Sequence, residues 1–341
     1  NENRQSKYIV NKILDLRREG VPLDEIAVLF RSGWHSNDLE VELSSYGISF
    51  LKYGGQKFIE AAHIKDIMSY LRVAHNLNDE VSWLRMLMLM RGTGPRSAAQ
   101  IVKQVVYERR GLNVDEQILK KKDNVKRLFG LLKQIDVKTE TPEEILLKVM
   151  GFYYPLLMDK YDDYDKRIND LDSLQGIAAR YKSVEQFLAD MALDPPEKTI
   201  VDANADERDP DHLVLSTIHS AKGLEWHTVF VIFVAEGYLP SYRSLDSEEA
   251  IEEERRLFYV ATTRAKENLI LLRPQMDRSA KGQWDSTSSG YTRISRFLNE
   301  GQILRKFVKH ESDYARGYSS SGGMRAASGY GYGQKFDAQE F

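Results

Sequence analysis

The sequence predicts an α/β protein in which a parallel-sheet domain is interrupted by a long, mostly helical segment. Two observations carry this prediction. Short apolar runs typical of buried strands occur at 25–32 and again at 213–217 and 228–234. Between them, residues from about 92 to 210 follow an almost entirely helical pattern that is rich in Lys, Asp and Tyr. The sheet domain is therefore expected to begin, to give way to the helical segment and then to resume.

The first ninety or so residues alternate helix and strand signals. Apolar residues at helical spacing predict helices at 7–19, 38–47, 59–74 and 81–90. The run EIAVLFRS lies between Pro22 and Gly33, as expected of a buried strand, and ISFLKYGG after Gly47 predicts a short strand and a turn. The glycines and the proline of RGTGPRS then break the pattern before a new helix.

The second half of the sheet domain follows a predicted linker. Residues 194–212 are polar and carry three prolines. Strands are predicted at 213–217 and 228–234, and a helix is predicted from the acidic residues at 252–254 to about Arg264. A short helix is predicted at 294–299, and from about 311 a Gly-, Ser- and Tyr-rich composition predicts a low-complexity tail.

Length and composition limit the classes of protein to consider. A chain of 341 residues is expected to form about two domains, and 42% hydrophobic with 29% charged residues is typical of a globular protein. The net charge of −3 means that any nucleic-acid surface must be local. The lack of cysteine excludes disulfides, thiolate metal sites and cysteine nucleophiles. No apolar run approaches the ~20 residues of a membrane span, so a cytoplasmic location is expected. Because the chain begins at Asn1, we interpret it as a fragment or a processed product.

The segment TIHSAKGLEW brings hydroxyl, imidazole and ammonium groups to the end of a predicted strand. These groups belong to Thr217, His219, Ser220 and Lys222. Such side chains are suited to binding phosphate oxygens, and Glu225 can accept a hydrogen bond from a ribose hydroxyl. Taken alone, the segment is more often a solvated loop with a capping serine.

The segment EEERRLFYVATTRA predicts a helix that ends in a cation. Its acidic start suits the positive end of the helix dipole, and Leu257 and Phe258 can pack on the sheet. Arg264 follows near the helix end, where its guanidinium could meet a phosphate. A guanidinium aimed at a transferring γ-phosphoryl group raises the rate by orders of magnitude. The alternative is a cation that only complements the helix dipole.

Two further segments carry candidate ligand contacts. Arg31 leaves the end of the first predicted strand, where α/β sheets commonly contact ligands. Phe30 beside it either stacks on a base or packs in the core. The GTG element consists of Gly92, Thr93 and Gly94 before a helix, and backbone amides at a helix start can bind a DNA phosphate without reading sequence. A plain turn is the alternative.

Taken together, these segments resemble the C-terminal half of a superfamily 1A DNA helicase of the UvrD/Rep/PcrA type. IAVLFRS resembles motif IV, and YGGQKFIEAAHIKDIMSYLRVAHNLND resembles the motif IVa region. LSTIHSAKGLEW resembles motif V, EGYLP its continuation, and EEERRLFYVATTRA motif VI. The order and spacing agree over roughly residues 7–100 and 210–300. Motifs V and VI in tandem are highly specific.

The resemblance implies a RecA-like domain 2A that is split by an inserted helical domain 2B. The implied bounds are 1–91 and 211–308 for domain 2A, 92–210 for domain 2B and 309–341 for the tail. This organisation agrees with the interruption that the composition predicts.

The resemblance also implies a nucleotide site. Arg31 and Arg264 match two arginines that contact the γ-phosphate of ATP, so both are expected at one edge of the sheet. Glu225 matches an acidic residue that binds the ribose. Phe30 matches an aromatic position that stacks on adenine.

A DNA-binding site is implied by the same resemblance. Thr217 and His219 match contacts to the backbone of single-stranded DNA, and Lys222 lies in the same turn. The GTG element at 92–94 resembles the part of domain 2B that grips duplex phosphates, with Thr93 in place of isoleucine. Single-stranded DNA and the junction between single- and double-stranded DNA are therefore the expected nucleic-acid partners.

The other half of a helicase motor is missing from this sequence. It contains no P-loop of the form GxxxxGK[ST], no acidic Mg²⁺ motif and no glutamine-bearing motif III. We therefore expect ATP with Mg²⁺ as cofactor, with the Mg²⁺ ligands and the P-loop on a partner, the N-terminal half (domains 1A and 1B). The expected function is the second motor domain of an ATP-dependent 3′–5′ DNA helicase, inactive alone. The alternative is a non-catalytic DNA-binding or regulatory module of the same fold, and a helicase–nuclease subunit would need a nuclease domain that the sequence lacks.

Overall fold

The computed structural model describes residues 1–120, 122–192, 212–275, 292–300 and 303–309. Most of the predicted linker at 194–212 and the tail predicted from about 311 lie outside the described residues. Within the described part of the chain, no helix combines the length and apolar character needed to cross a membrane.

Five parallel strands form one sheet in the order β2-β3-β1-β4-β5. They are β1 (Ile26–Phe30), β2 (Phe50–Tyr53), β3 (Leu213–Thr217), β4 (Trp226–Val231) and β5 (Ala265–Leu271). The central strands β3, β1 and β4 are almost wholly buried, in agreement with their predominantly apolar sequences. Because all strands run the same way, their C-terminal ends meet at one edge, called here the carboxyl edge. Their N-terminal ends meet at the opposite amino edge.

Helices make up most of the remaining described structure. Those of the first segment are α1 (Glu2–Arg18), α2 (Asn37–Ser45), α3 (Ala62–His75) and α4 (Glu80–Leu89). The long helical segment contributes α5 (Pro95–Val102), α6 (Glu116–Leu119), α7 (Asp123–Lys133), α8 (Pro142–Lys160), α9 (Tyr164–Ala178) and α10 (Val184–Asp190). The last segment contributes α11 (Glu248–Thr262), α12 (Arg296–Asn299) and α13 (Ile303–Phe307).

One hydrophobic core lies between the sheet and helices α1 and α2. Ile9 and Ile13 of α1 are fully buried against the strand residues Val28 and Phe30. These strand residues are two apart, so their side chains share one face of the sheet. The apolar side chains of α1, which recur about every 3.6 residues, therefore pack in one layer with those of β1, which recur every two. This packing fixes the position of the C-terminal end of β1.

A second hydrophobic core is built by helices α3 to α10. Trp83 of α4 is fully buried in it, and its indole Nε1 donates to the carbonyl of Leu77 at 2.9 Å. This core already includes Phe58 and the buried face of α3. The two cores therefore divide near residue 58, ahead of the predicted domain boundary between residues 91 and 92, and the domain bounds stay a prediction.

A buried carboxylate links three helices of the second core. Asp66 of α3 is 1% exposed and accepts from Arg85 Nε of α4 at 2.6 Å. It also accepts from Tyr153 of α8 at 2.9 Å and from Lys160 at 3.2 Å. Burial and the Asp66 charge raise the pKa of Tyr153, so its hydroxyl keeps its proton and remains a donor. The network holds the end of α4, from which the GTG element starts.

Polar contacts join the sheet segment to the helical segment. Asp170 of α9 accepts from Asn37 at 2.8 Å and lies 2.9 Å from Nε2 of the buried His63. The other ring nitrogen of His63 faces Arg167 at 3.0 Å. Since a guanidinium can only donate, Nδ1 of His63 accepts and Nε2 donates to Asp170. The histidine thus fixes α9 against α3 in one orientation.

The edge strand β5 was not predicted. Residues 266–269 are exposed, and the polar first half of AKENLIL gives no buried apolar run. Its pairing with β4 explains why this stretch is nevertheless extended. The predicted helix at 294–299 begins later, at Arg296, because Ile294 forms an antiparallel bridge with Ala235.

Candidate functional site

The turn after β3 presents polar side chains at the carboxyl edge. Thr217 ends the strand, and its hydroxyl donates to Ser220 Oγ at 3.0 Å while accepting from the Ser220 backbone N–H at 3.3 Å. His219, Ser220 and Lys222 are exposed. The turn therefore offers hydroxyl, imidazole and ammonium groups to solvent, a set suited to phosphate oxygens.

Arg31 is held at the same edge by an ion pair with Glu254. It follows directly after β1, and its Nε and Nη2 lie 2.9 Å and 2.8 Å from Glu254 Oε1. Glu254 lies in α11, is only 2% exposed, and also accepts from the Ser241 N–H and the Ser244 hydroxyl, both at 3.2 Å. These donors saturate a nearly dry carboxylate, which makes the pair a fixed structural joint between β1 and α11.

Arg264 lies at the C-terminal end of α11, directly before β5. Its Nε donates to the carbonyl of Val260 at 3.1 Å, Nη1 to the carbonyl of Leu224 at 3.0 Å, and Nη2 to Thr263 Oγ1 at 3.1 Å. A guanidinium has five N–H groups, so these three bonds leave one on each terminal nitrogen for a further acceptor. The exposed Glu225 follows Leu224 directly. Arg264 and Glu225 thus share one corner of the amino edge.

The expected convergence of Arg31 and Arg264 at one edge is not what the structure contains. Leu29 pairs with Val231 of β4, whereas Ala265 pairs with Trp226 at the other end of that strand. The two β4 residues of these pairs are five positions apart, which corresponds to about 17 Å along the strand direction. The reason is topological: Arg31 follows a strand and Arg264 precedes one, and parallel strands send those two positions to opposite edges.

Phe30 is fully buried and packs in the sheet core. The ammonium of Lys52 lies 5.9 Å from the ring centroid, close enough for a cation–π contact. Core packing, the second possibility left open by the sequence, is therefore the state observed. Stacking on adenine would require the surrounding side chains to move.

The GTG element forms the start of α5. Gly92 has a φ of +81°, a left-handed conformation that glycine adopts at low cost, and Gly94 caps the helix ahead of Pro95. Both glycines are exposed, whereas Thr93 is 7% exposed and its Oγ1 has no hydrogen-bond partner in the described part of the chain. The element borders an open groove of about 860 Å³ that Arg85 also lines.

An aromatic cluster around the buried His35 lies next to Arg31. His35 stacks on Phe233 at 4.6 Å and meets the edges of Trp34 at 4.4 Å and Tyr238 at 5.6 Å. Burial, followed by the charge of Arg31, lowers the pKa of His35 to about 3, so the ring is neutral at physiological pH. The cluster supports the loop that follows Arg31.

Sequence reasoning missed Glu254 and His35 as parts of this site. Glu254 lies in the acidic run that the helix dipole alone explained, and its partner Arg31 is 223 positions away. His35 carried no metal-ligand or catalytic spacing. A buried acid on the apolar face of a predicted helix was the one available signal for Glu254.

The comparisons with known proteins agree with this architecture. The UvrD-like helicase C-terminal domain family matches residues 1–274. The ATP-dependent DNA helicase PcrA of Staphylococcus epidermidis is 30% identical over 354 residues, which cover 93% of this chain and 46% of that protein. The PcrA of Bacillus subtilis is 30% identical over 81% of this chain and 40% of its own length. DNA helicase II of Escherichia coli is 30% identical over 88% of this chain and 43% of its own length. The chain thus spans less than half the length of the curated relatives that it matches.

Proposed function

Because the chain belongs to the UvrD-like helicase C-terminal domain family, we propose that it is the second motor domain of an ATP-dependent 3′–5′ DNA helicase. In this role it completes an ATP site whose P-loop lies on a first motor domain, and it grips single-stranded DNA. The N-terminal helicase half is accordingly its partner, and a cytoplasmic location is part of the same proposal.

The observation that carries the proposal is the course of helix α11. Near its middle, Glu254 binds Arg31 at the carboxyl edge, and directly after its end Arg264 lies beside Glu225 at the amino edge. One rigid element thus joins the edge that bears the candidate DNA contacts to the corner that bears the candidate nucleotide contacts. A motor domain needs a rigid connection of this kind, so that the state of the bound nucleotide can change how the domain holds the DNA strand.

On the nucleotide side, the Arg264 corner fits a polyphosphate. Its guanidinium keeps two N–H donors beyond its three internal bonds, and Glu225 offers a carboxylate to a ribose hydroxyl. ATP, when bound, supplies the phosphoryl group and its negative charge. Arg264 stabilises that charge as it shifts during hydrolysis, whereas Arg31 stays in its ion pair with Glu254 at the opposite edge of the sheet.

The described residues include no group of His, Asp or Glu side chains that could hold a metal ion. In this proposal the Mg²⁺ that accompanies ATP is held by the N-terminal half. This division agrees with a site that is assembled between two motor domains.

On the DNA side, the turn after β3 contacts the phosphate backbone. The Ser220 hydroxyl donates a hydrogen bond, Thr217 orients that hydroxyl, and Lys222 contributes charge. His219 contributes an imidazole to the same exposed turn. Such binding is tolerant of sequence and weakens with salt. The exposed backbone of Gly92 and Gly94 is proposed to contact duplex phosphates at the junction.

Binding of a fluorescein-labelled oligothymidylate, followed by anisotropy at several salt concentrations, tests the DNA side. Lys222→Ala is expected to weaken binding and to reduce the slope of log K against log salt by about 0.7, because one phosphate contact to a single strand is lost. Lys133→Ala, at an exposed position at the end of α7, is the matched control and leaves the slope unchanged. Equal slopes for Lys222→Ala and Lys133→Ala contradict the assignment of Lys222.

A further inference from the structure

The turn after β2 lies so close to the candidate DNA-binding turn that no side chain at position 54 would fit between them. Tyr53 of β2 pairs with Ser216 of β3, so Gly54 comes level with Thr217. A Cβ atom at position 54 would lie 2.3 Å from Thr217 Oγ1, 2.7 Å from Ser220 Oγ and 2.9 Å from Thr217 Cγ2. All three distances are below those of real carbon contacts, so any side chain here must displace the two hydroxyls.

The hydroxyl groups of Thr217 and Ser220 form a hydrogen-bonded pair that occupies the space beside Gly54. Thr217 Oγ1 accepts from the Ser220 backbone N–H and donates to Ser220 Oγ. With these bonds made, the Ser220 hydroxyl keeps its own hydrogen for an acceptor outside the turn. A side chain at position 54 would rotate Thr217 and break both bonds, because its Oγ1 and its Cγ2 lie against that position.

We propose that Gly54 is a positioning residue for DNA binding, because the space beside its Cα holds the Thr217–Ser220 hydroxyl pair in the orientation that donates to a phosphate of single-stranded DNA. The proposal rests on the proposed function, since it assumes that the turn after β3 binds the strand. In this arrangement the Ser220 hydroxyl is the donor that faces the DNA strand, and the turn after β2 borders the DNA-binding turn.

The chain contains two glycines that serve as matched controls. Gly20 has a φ of +93°, close to the +80° of Gly54, but a Cβ there would meet nothing within 4 Å. Gly55 lies in the same turn as Gly54, and a Cβ there would meet only Lys52 Cε at 3.8 Å. Gly20→Ala therefore introduces the strain of a positive φ without a clash of the new Cβ. Gly55→Ala places a Cβ in the same turn as Gly54 without that strain.

The test measures oligothymidylate affinity by anisotropy and the melting temperature of each variant. Gly54→Ala is expected to bind about tenfold more weakly than wild type, the loss of roughly one hydrogen bond to a charged group, whereas Gly20→Ala and Gly55→Ala bind as wild type does. Thr217→Ser in the Gly54→Ala background is not expected to recover the affinity, because Oγ1 is the atom nearest to the added Cβ and, once turned away, it loses both bonds with Ser220. If Gly54→Ala does not fold, Gly54→Asn replaces it, because asparagine tolerates a positive φ.

The outcomes separate this inference from the function on which it rests. Wild-type affinity in Gly54→Ala, or an equal loss in Gly20→Ala, overturns the positioning role while leaving DNA binding intact. A wild-type chain that does not bind oligothymidylate at low salt overturns the proposed DNA side and this inference together.

Discussion

At the scale of single residues, the two arginines of the site occupy different environments. Arg31 is held by a carboxylate that is itself saturated with donors, and its guanidinium is 27% exposed. Arg264 is held by two backbone carbonyls and one hydroxyl, none of which carries a charge. A neutral set of acceptors leaves the positive charge of Arg264 uncompensated by these three contacts. Arg264 is therefore the better placed of the two to attract a phosphate.

Replacing Arg264 tests this assignment in a complete helicase. Arg264→Ala is expected to lower ATP turnover by about 10²-fold or more, because a guanidinium that stabilises the transferring phosphoryl group contributes at least that factor. Nucleotide binding, measured by equilibrium titration with a fluorescent ATP analogue, is expected to survive. Arg256→Ala is the control, since Arg256 lies on the same helix, is exposed and pairs only locally with Glu253. Turnover that falls equally in both variants removes the special role of Arg264.

Residues inside contiguous motifs could be identified from the sequence, and residues that act through distant partners could not. Thr217, His219 and Lys222 lie within six positions of one another, so their proximity at the end of β3 follows from local chain geometry. The Arg31–Glu254 pair spans the whole helical segment, and no spacing rule relates its members. The approach of Gly54 to Thr217 likewise depends on β2 pairing with β3, which only the folded sheet reveals.

At the scale of elements, α11 joins the two edges of the sheet. Its buried face includes Ile251, Leu257 and Ala261, and Glu254 lies among them as the one buried acid. Ser247 caps its start by accepting from the Ala250 N–H at 3.3 Å. The helix is thus fixed by a cap, by apolar packing and by the ion pair with Arg31.

Removing the buried acid tests how strongly α11 depends on that pair. Glu254→Ala is expected to lower the free energy of unfolding by about 3 kcal/mol, because Arg31 and the Ser241 N–H would lose their acceptor in a nearly dry setting. The control Glu253→Ala removes an exposed contact of the same helix and is expected to change it by less than about 0.5 kcal/mol. Urea unfolding followed by circular dichroism measures both. A loss below 1 kcal/mol for Glu254→Ala would show that the pair is not a structural joint.

The bounds of the helices and strands show which of them the local sequence pattern is sufficient to predict. The strand predicted at 213–217 agrees with β3, because the adjacent apolar residues Leu213, Val214 and Leu215 require burial on both faces of the sheet. Strand β5 escaped prediction because an edge strand needs no such run. Helix α1 starts at Glu2, earlier than predicted, since Asn1 accepts from the Arg4 N–H and supplies a cap that apolar periodicity does not report.

At the scale of the whole molecule, the α/β class and the interruption by a helical segment were predictable, and the family membership agrees with both. The division between the two hydrophobic cores was not, because α3 and α4 have apolar faces that could pack on either. The motif resemblance assigned the candidate site residues to segments of the chain, and these assignments stay a prediction. It did not reveal that their side chains divide between the two edges of the sheet.

In the proposed function, the chain carries the arginine corner and the strand-binding edge of a motor, and the phosphate-cradling loop belongs to the N-terminal half. Chemistry should therefore require both halves, whereas DNA binding should require only this one.

The most direct test is the rate of ATP hydrolysis by this chain alone, with Mg²⁺, ATP and an excess of single-stranded DNA. We expect no turnover above that of buffer, while the same preparation binds labelled oligothymidylate. DNA-stimulated turnover by the purified chain that disappears in Arg264→Ala would contradict this expectation, because the chain would then contain a complete ATP site.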